Sequence, residues 1–503
     1  MSAPAGSRST GPNSAPLTPQ ERSVLFLTTL ALLMVAVDST IVILALPTML
    51  VDLAAPLESI IWVILAYLLV TAVLTTQAGR LGDMFGRSRV YNIGFVIFTF
   101  GSGLCGLAPT SSFLIGSRVV QAIGAAIIFA NGSALVAHVF PPERRGRAFG
   151  FVTLGWGIGA ILGILLGGVI TTLIGWRYIF WINLPIGVFA VALGIRVLPK
   201  IQGERARFDV PGFVLLSASL LAICYGAIEI ASFGPSLTYY LYVLLGFALL
   251  APFVAIELRT KAPMVELRSL RDRVLGFSLA ASFLQAMGYL SIVFLLTLYL
   301  QGIRGLTPLD ASVLLVPGYL VGAVAGPAFG RRVDQYGARA LATLGIAVMM
   351  VGLLLYSLMG TNTWLGYIPV ISVVTGVGTG LFYPANTVAT MSRATPRTYG
   401  AVGGLRGTLT NLGTLFSFVV VIAIAAASIP RNVAFAVFLG THPLTGAIAA
   451  QFLTGIRTAF YGAAAILAGA AVLSWARGPS QAPTSQPAPS VSGGATSEPG
   501  VSH

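Results

Sequence analysis

Two charged side chains in this sequence sit where charge is expensive. Asp38 lies well inside the apolar run 24–47, and Arg118 lies inside the run 113–139. A lone ionised carboxylate at the centre of a membrane helix costs roughly 2.5–3.5 kcal/mol even on the lenient insertion scale. Arginine cannot escape that cost by losing its proton. A bound proton or a cationic neighbour relieves the carboxylate, so the chemistry on offer is reversible protonation of Asp38, biased by Arg118. The competing readings are a structural hydrogen-bond anchor for Asp38 and a polar clasp for Arg118. Glu229, the other acid within a run, lies near its end and reads as exposed at the membrane interface. Arg406 lies early in its run, where snorkelling competes with cavity lining. Gln121, Asn131, Gln285, Asn386 and Asn411 are polar residues on apolar runs, each able to line a cavity or to tie helices together.

Other chemistries lack their residues. No group of His, Cys and carboxylates has metal-ligand spacing, so neither a metal nor a cofactor is expected. No glycine-rich loop ends in Lys-Ser or Lys-Thr, so this chain carries no ATPase domain, and an ion gradient is the expected energy source. Cys105 and Cys224 fall in apolar segments as small core fillers, and His138 and His442 sit at loop edges.

The elements that must position these residues are apolar. Of 503 residues, 56% are hydrophobic and 9% charged, and the mean hydropathy is +0.89. A soluble domain carries about 25% charged residues, which excludes a soluble multidomain enzyme. Apolar stretches longer than about 18 residues make the chain an all-α membrane protein in a lipid bilayer, because barrel strands would be short and alternating. Fourteen spans are expected, near 24–47, 59–78, 90–108, 113–139, 148–172, 178–198, 211–231, 238–257, 275–300, 309–330, 339–359, 364–390, 399–427 and 454–476. Residues 1–22 and 478–503, rich in Ser, Pro, Gly, Ala and Thr, read as disordered tails. The stretch 428–453 reads as the longest outer loop.

The net charge of +14 suggests a nucleic-acid partner until the charges are located. With both tails placed in the cytoplasm, 23 of the 29 basic residues fall in inner loops and tails. Four fall outside (Arg177, Arg304, Arg431 and Arg457), and Arg118 and Arg406 lie within spans. That asymmetry is an orientation signal and supports the span count, and no nucleic-acid face is expected. Only Lys200 and Lys261 are lysine, an arginine bias that fits a GC-rich genome.

Gly79-Arg80-Leu81-Gly82-Asp83-Met84-Phe85-Gly86 recurs as Gly330-Arg331-Arg332-Val333-Asp334-Gln335-Tyr336-Gly337. Each copy follows the second span of a six-helix block, which points to duplication. The expected layout is a bundle at 23–200, a two-helix insert at 201–260 and a second bundle at 261–477. Two six-helix halves around a midplane site form a transporter architecture. Span directions put Asp38 and Arg118 at similar depth, without showing whether they touch. Gly155, Gly159, Gly163 and Gly167, followed by Gly168, bare one face of the fifth span for close helix packing.

The first loop, GRLGDMFGRSR, resembles the signature loop of the major facilitator superfamily, with Met84 where a basic residue is usual. Asp38-Ser39-Thr40-Ile41-Val42 through Ala45-Leu46-Pro47, Arg118-Val119-Val120-Gln121 and Trp176-Arg177-Tyr178-Ile179-Phe180-Trp181-Ile182-Asn183-Leu184-Pro185 are similar to motifs of its fourteen-helix drug:proton antiporters. The glycine run is similar to the antiporter motif, with Ile164 where Pro is usual. The resemblance covers about residues 22–477. It implies a proton-coupled exporter of small amphipathic compounds in a bacterial inner membrane, both termini cytoplasmic. Asp38 and Arg118 would couple protons, and the loop of Gly79, Arg80, Gly82, Asp83, Gly86 and Arg87, with Asp334 in the second copy, would gate the conformational cycle. Self-resistance in an antibiotic-producing actinobacterium, by a chain able to work as a monomer, fits the same resemblance. The rivals are a porter for an endogenous metabolite, an intramembrane enzyme lacking its clustered acids, and a receptor, against which the duplication argues.

Overall fold

A computed structural model describes residues 17–203, 209–260, 263, 267–330, 332–393, 399–427 and 446–478. Those residues are helical and contain no strand. The first half comprises α1 (Pro19–Asp52), α2 (Leu57–Phe85), α3 (Arg87–Gly106), α4 (Ser111–Val139), α5 (Pro142–Leu173), α6 (Tyr178–Trp181) and α7 (Asn183–Val197). The insert is α8 (Val210–Phe233) and α9 (Leu237–Arg259). The second half comprises α10 (Arg273–Tyr289), α11 (Ile292–Thr297), a π-helical turn at Leu298–Ile303, α12 (Pro308–Gly330), α13 (Val333–Tyr336), α14 (Ala338–Tyr356), α15 (Tyr367–Met391), α16 (Tyr399–Ala427) and α17 (Gly446–Ala476).

All fourteen apolar stretches contain helix, and twelve helices among the described residues are long and apolar enough to cross a membrane. The other two are α3 and α16. Arg87, Arg89, Asn92 and several glycines dilute the apolar content of α3. This is a multi-pass membrane protein.

Four boundaries differ from the sequence reading. Helix α1 starts at Pro19, inside the stretch read as tail, because Thr18 and Glu21 form a capping box. Helix α17 starts at Gly446, so the expected loop 428–453 keeps only 428–445, which lie outside the described residues with Arg431, His442 and most of both tails. The sixth span breaks at Ile182, because Pro185 has no N–H to donate back and its ring crowds the carbonyl of Trp181. The ninth breaks after Tyr289. There the Ser291 N–H donates to Ser417 Oγ at 3.0 Å, and the Ser417 hydroxyl donates to Ser291 Oγ at 2.7 Å.

The same pairings recur in the two halves. Helix α1 packs on α5 as α10 packs on α16, α2 on α4 as α12 on α15, α3 on α4 as α14 on α15, and α3 on α7 as α14 on α17. The repeated loops also end alike, on Gly86 with φ +92° and Gly337 with φ +79°, a region that favours glycine. The halves meet through α5 with α12 and α2 with α16. One large apolar cluster joins both halves at the end away from the termini, through Ile41–Leu50, parts of α2 and Ile292–Leu300. Near the termini the apolar clusters stay within one half or the other, so the far end is the sealed one. The α8–α9 pair rests against α2 and α16, with the exposed Leu241, Leu244 and Phe247 of α9 turned outward.

The glycine face of α5 lies on the backbone of α1. A Cβ at Gly155, Gly159, Gly163 or Gly167 would come within 2.5–2.8 Å of the carbonyl oxygens of Thr29, Leu33, Val37 and Ile41 respectively. Gly168 faces Pro308 and Ser312 of α12 instead. With Ile164 in place of Pro, α5 runs unbroken. Gly159→Val should therefore destabilise the protein by about 1–3 kcal/mol, the usual cost of overpacking. Gly116→Ala, where a Cβ meets open space, should not. Thermal unfolding of detergent-purified variants checks this, and equal melting temperatures would refute the α1–α5 contact.

Candidate functional site

The structure brings Asp38 and Arg118 together. Both are buried, at 0% and 1% exposure. Arg118 Nη1 donates to Asp38 Oδ2 at 2.7 Å and to Gln121 Oε1 at 2.7 Å, while Nε donates to the Val63 carbonyl at 3.3 Å. Its guanidinium also lies over the Tyr67 ring, 4.1 Å from the centroid. Asp38 Oδ1 accepts from Gln121 Nε2 at 2.7 Å and from Asn183 Nδ2 at 3.2 Å. Asn183 Nδ2 further donates to Ser102 Oγ at 3.0 Å, whose hydroxyl donates to the Phe180 carbonyl at 2.8 Å.

Local sequence explains each placement. Gly101 and Gly124 let α3 and α4 approach backbone to backbone, since a Cβ at Gly101 would sit 2.5 Å from the Gln121 nitrogen. Arg118 and Gln121, three apart on α4, share one face. The break at Ile182 releases Asn183 to reach both Asp38 and Ser102. At the far end Arg177 Nη1 and Trp176 Nε1 donate to Asp52 at 2.5 and 2.9 Å, anchoring the segment that enters the break.

This geometry suits a carboxylate that changes charge. Ionised, Asp38 is met by one cation and two amide donors, the arrangement that makes a buried charge tolerable. Protonated, it becomes a donor and needs an acceptor. Asn183, which already touches Asp38 through its Nδ2, keeps its Oδ1 buried without a hydrogen-bond partner among the described residues. A rotation of that amide would offer the protonated acid an acceptor.

The other sequence candidates divide. Gln121 joins this network. Asn131 donates to the Ala78 and Ile127 carbonyls at 3.0 Å and ties α4 to α2 at Gly82, and Gly79 faces Ala130 of α4. Asn386 donates to Ser282 Oγ at 2.6 Å and accepts from Arg477 at 2.9 Å, so both asparagines join helices. Gln285 is fully buried with Oε1 unpaired, and Asn411 leaves Nδ2 unpaired. Arg406 does not snorkel away, since its Nη1 donates to Thr387 Oγ1 of α15 at 2.8 Å. Glu229 is buried, contrary to the interface exposure expected, because α8 turns it towards the protein instead of the lipid. In the loop, Arg87 pairs with Asp83 at 2.8 Å and reaches the Ala134 carbonyl of its own half, while Arg80 donates to the Pro263 carbonyl. Asp334 lies on α13, and its side chain lies outside the described residues.

Three participants were not singled out from the sequence: Asn183, Tyr67 and Ser102. Asn183 left a signal, an amide two residues before a proline inside a span. Tyr67 and Ser102 left none, because Tyr and Ser are ordinary in membrane helices. Arg477 is one of the basic residues expected on the inner side, yet it is buried against Asn386, Ser278 and the Ala338 carbonyl.

A two-half, all-helical membrane fold with a buried acid–arginine pair defines a transporter, not an enzyme. The family model described as Major Facilitator Superfamily matches residues 28–418, and the chain belongs to that family. It is 31% identical to the riboflavin transporter RibZ of Clostridioides difficile, over 79% of this chain and 87% of that protein. It is 31% identical to the multidrug resistance protein Stp of Mycobacterium tuberculosis, over 80% and 75%. It is 29% identical to the tetracenomycin C resistance and export protein of Streptomyces glaucescens, over 76% and 71%. Among solved structures it is similar in fold to a bacterial homologue of the human lysosomal transporter Spinster, with TM-score 0.63, 15% identity, and 92% of this chain and 98% of that one covered.

The pair is asymmetric. Asp38→Asn keeps the side-chain volume and an amide oxygen facing Arg118, which also retains Gln121, the Val63 carbonyl and the Tyr67 face, whereas Arg118→Ala empties one of the largest buried side-chain volumes and strands Asp38 without its cation. Arg118→Ala should lower stability by about 3–5 kcal/mol, as breaking a buried ion pair does, and Asp38→Asn by clearly less. Melting temperatures of the two purified variants decide this, and the reverse order would contradict the network as described.

Proposed function

We propose that the chain is a proton-coupled exporter of small amphipathic compounds, drugs or antibiotics among them. Asp38 is the proton-carrying group and Arg118 sets its balance. The carrying observation is that Asp38, the one acid deep in a span of the two halves, is wholly buried, with one cation and two amide donors meeting its charged form. The two halves rock about the shared site, and a proton entering from the far side neutralises Asp38 and loosens its hold on Arg118. Substrate binding from the side of the termini follows, and release of the proton there restores the pair. In this reading the protein lies in a bacterial cytoplasmic membrane with both termini inside, as the 23-to-4 asymmetry supports.

Similarity to the multidrug and tetracenomycin C proteins supports export and a role in self-resistance. Similarity to the riboflavin transporter supports a second reading, transport of an endogenous heteroaromatic metabolite. Direction of movement in inverted vesicles separates them: acid-driven accumulation means export, and its absence with retained exchange means uptake.

The loop after α2 acts as a gate in this account. Asp83, about 40% exposed beside Arg87, is free to exchange partners as the halves move. Asp83→Asn should cut transport at least about tenfold with unchanged protein in the membrane, and wild-type rates at equal expression would remove the gate.

For coupling, Asp38→Asn should abolish dye efflux from energised cells at normal expression, and Glu229→Gln should retain most of it. Efflux by Asp38→Asn that still follows the pH gradient would exclude Asp38 as the coupling acid.

A further inference from the structure

The second half holds a buried arginine of a different kind. Arg118 answers a carboxylate, and Arg477 is met by Asn386 Oδ1, Ser278 Oγ and the Ala338 carbonyl. Arg118 is thus charge-paired, and Arg477, whose Nε is buried without a partner among the described residues, is still met by three neutral acceptors. Among the described residues Arg406 has only the neutral hydroxyl of Thr387, and its Nε is buried without an acceptor there. No described carboxylate pairs with it. It stands seven residues into α16, about 10 Å along the helix at 1.5 Å per residue.

Its surroundings are aromatic. Tyr383 of α15 lies beside both Arg406 and Gln285. Tyr319 of α12 lies close to Tyr383 and to Tyr289 of α10. The three tyrosines and Arg406 come from four helices, yet each remains only partly buried, so their open surface faces the space between the helices. Gln285 keeps Oε1 unpaired there. With the Asp38–Arg118 pair neutral as a unit, Arg406 gives this interior a net positive charge. A guanidinium with open donors, flanked by ring faces, matches a planar aromatic compound bearing a carboxylate, enolate or phenolate. A lipophilic cation is repelled by the same charge.

We infer that Arg406 is the substrate-binding cation of this transporter and that its substrates are aromatic acids, held by Arg406 at the acidic group and by Tyr383, Tyr319 and Tyr289 at the rings. This deepens the transporter reading and does not depend on proton coupling. Fluorescein and rhodamine 123 share a xanthene ring system and differ in charge, so they test it directly. Their equilibrium binding to purified protein in lipid nanodiscs, followed by fluorescence polarisation, needs no ion gradient. Wild type should bind fluorescein at least tenfold more tightly than rhodamine 123. Arg406→Gln should lose at least tenfold for fluorescein, Arg406→Lys should lose less, and Arg406→Glu should reverse the preference. Gly116→Ala, in the first half where a Cβ meets open space, should leave fluorescein binding unchanged, and because binding is read without an ion gradient, failure of this inference is distinct from failure of coupling. Absent fluorescein binding, equal affinity for the two dyes, or an unchanged affinity in Arg406→Gln at wild-type melting temperature would overturn it.

Discussion

Everything in the first half is arranged around the cost of placing one carboxylate in a medium that cannot solvate it. Asp38 can be wholly buried only because α4 delivers Arg118 and Gln121 on one face and the break before α7 delivers Asn183. Each partner depends on a further constraint. The break needs Pro185, the α3–α4 approach needs Gly101 and Gly124, and the depth of Asp38 is fixed by the seating of α1 along the α5 glycines. Remove any of these and the carboxylate loses a donor in surroundings where no water replaces it.

The halves share a plan and differ in charge. Duplicated pairings and duplicated loop ends show a common architecture. The first half spends its buried arginine on its own acid, whereas Arg406 in the second is left with a hydroxyl. In the proposed function, a coupling site in one half and a cargo site in the other would divide the labour across the seam that alternating access must move. The sealed far end is apolar, while Thr76 and Thr408 meet across the seam nearer the termini at 2.8 Å. A small polar contact parts at less cost than a dry apolar seal.

Much of this was legible from residue types alone. Long uncharged runs define the helices, because a bilayer leaves the backbone no other partner. Asp38 and Arg118 stood out because charge inside such a run is rare. The glycines of α5 announced a close neighbour but not which helix it was. What escaped the sequence has physical causes. Asn183 looked like part of a motif, since the reach of an amide depends on a helix break whose direction no spacing reports. Arg477 counted only as an inner-side charge at the end of the last span, because its burial comes from α10, α14 and α15 closing over it. Glu229 looked exposed, since a helix position near an interface does not say which way the side chain faces. The start of α1 was missed because composition outweighed the two residues that cap it.

The central claim is that Asp38 carries the exchanged proton, and reconstitution separates that from mere structural need. Wild type and Asp38→Asn would be placed in liposomes enclosing a pH-reporting dye, and an outward gradient of a transported compound imposed without a pH gradient. The account predicts proton movement against the compound's flow in wild type. In Asp38→Asn it predicts exchange of labelled for unlabelled compound with no proton movement. Proton movement by Asp38→Asn in proportion to its transport would contradict the account and place the coupling proton elsewhere.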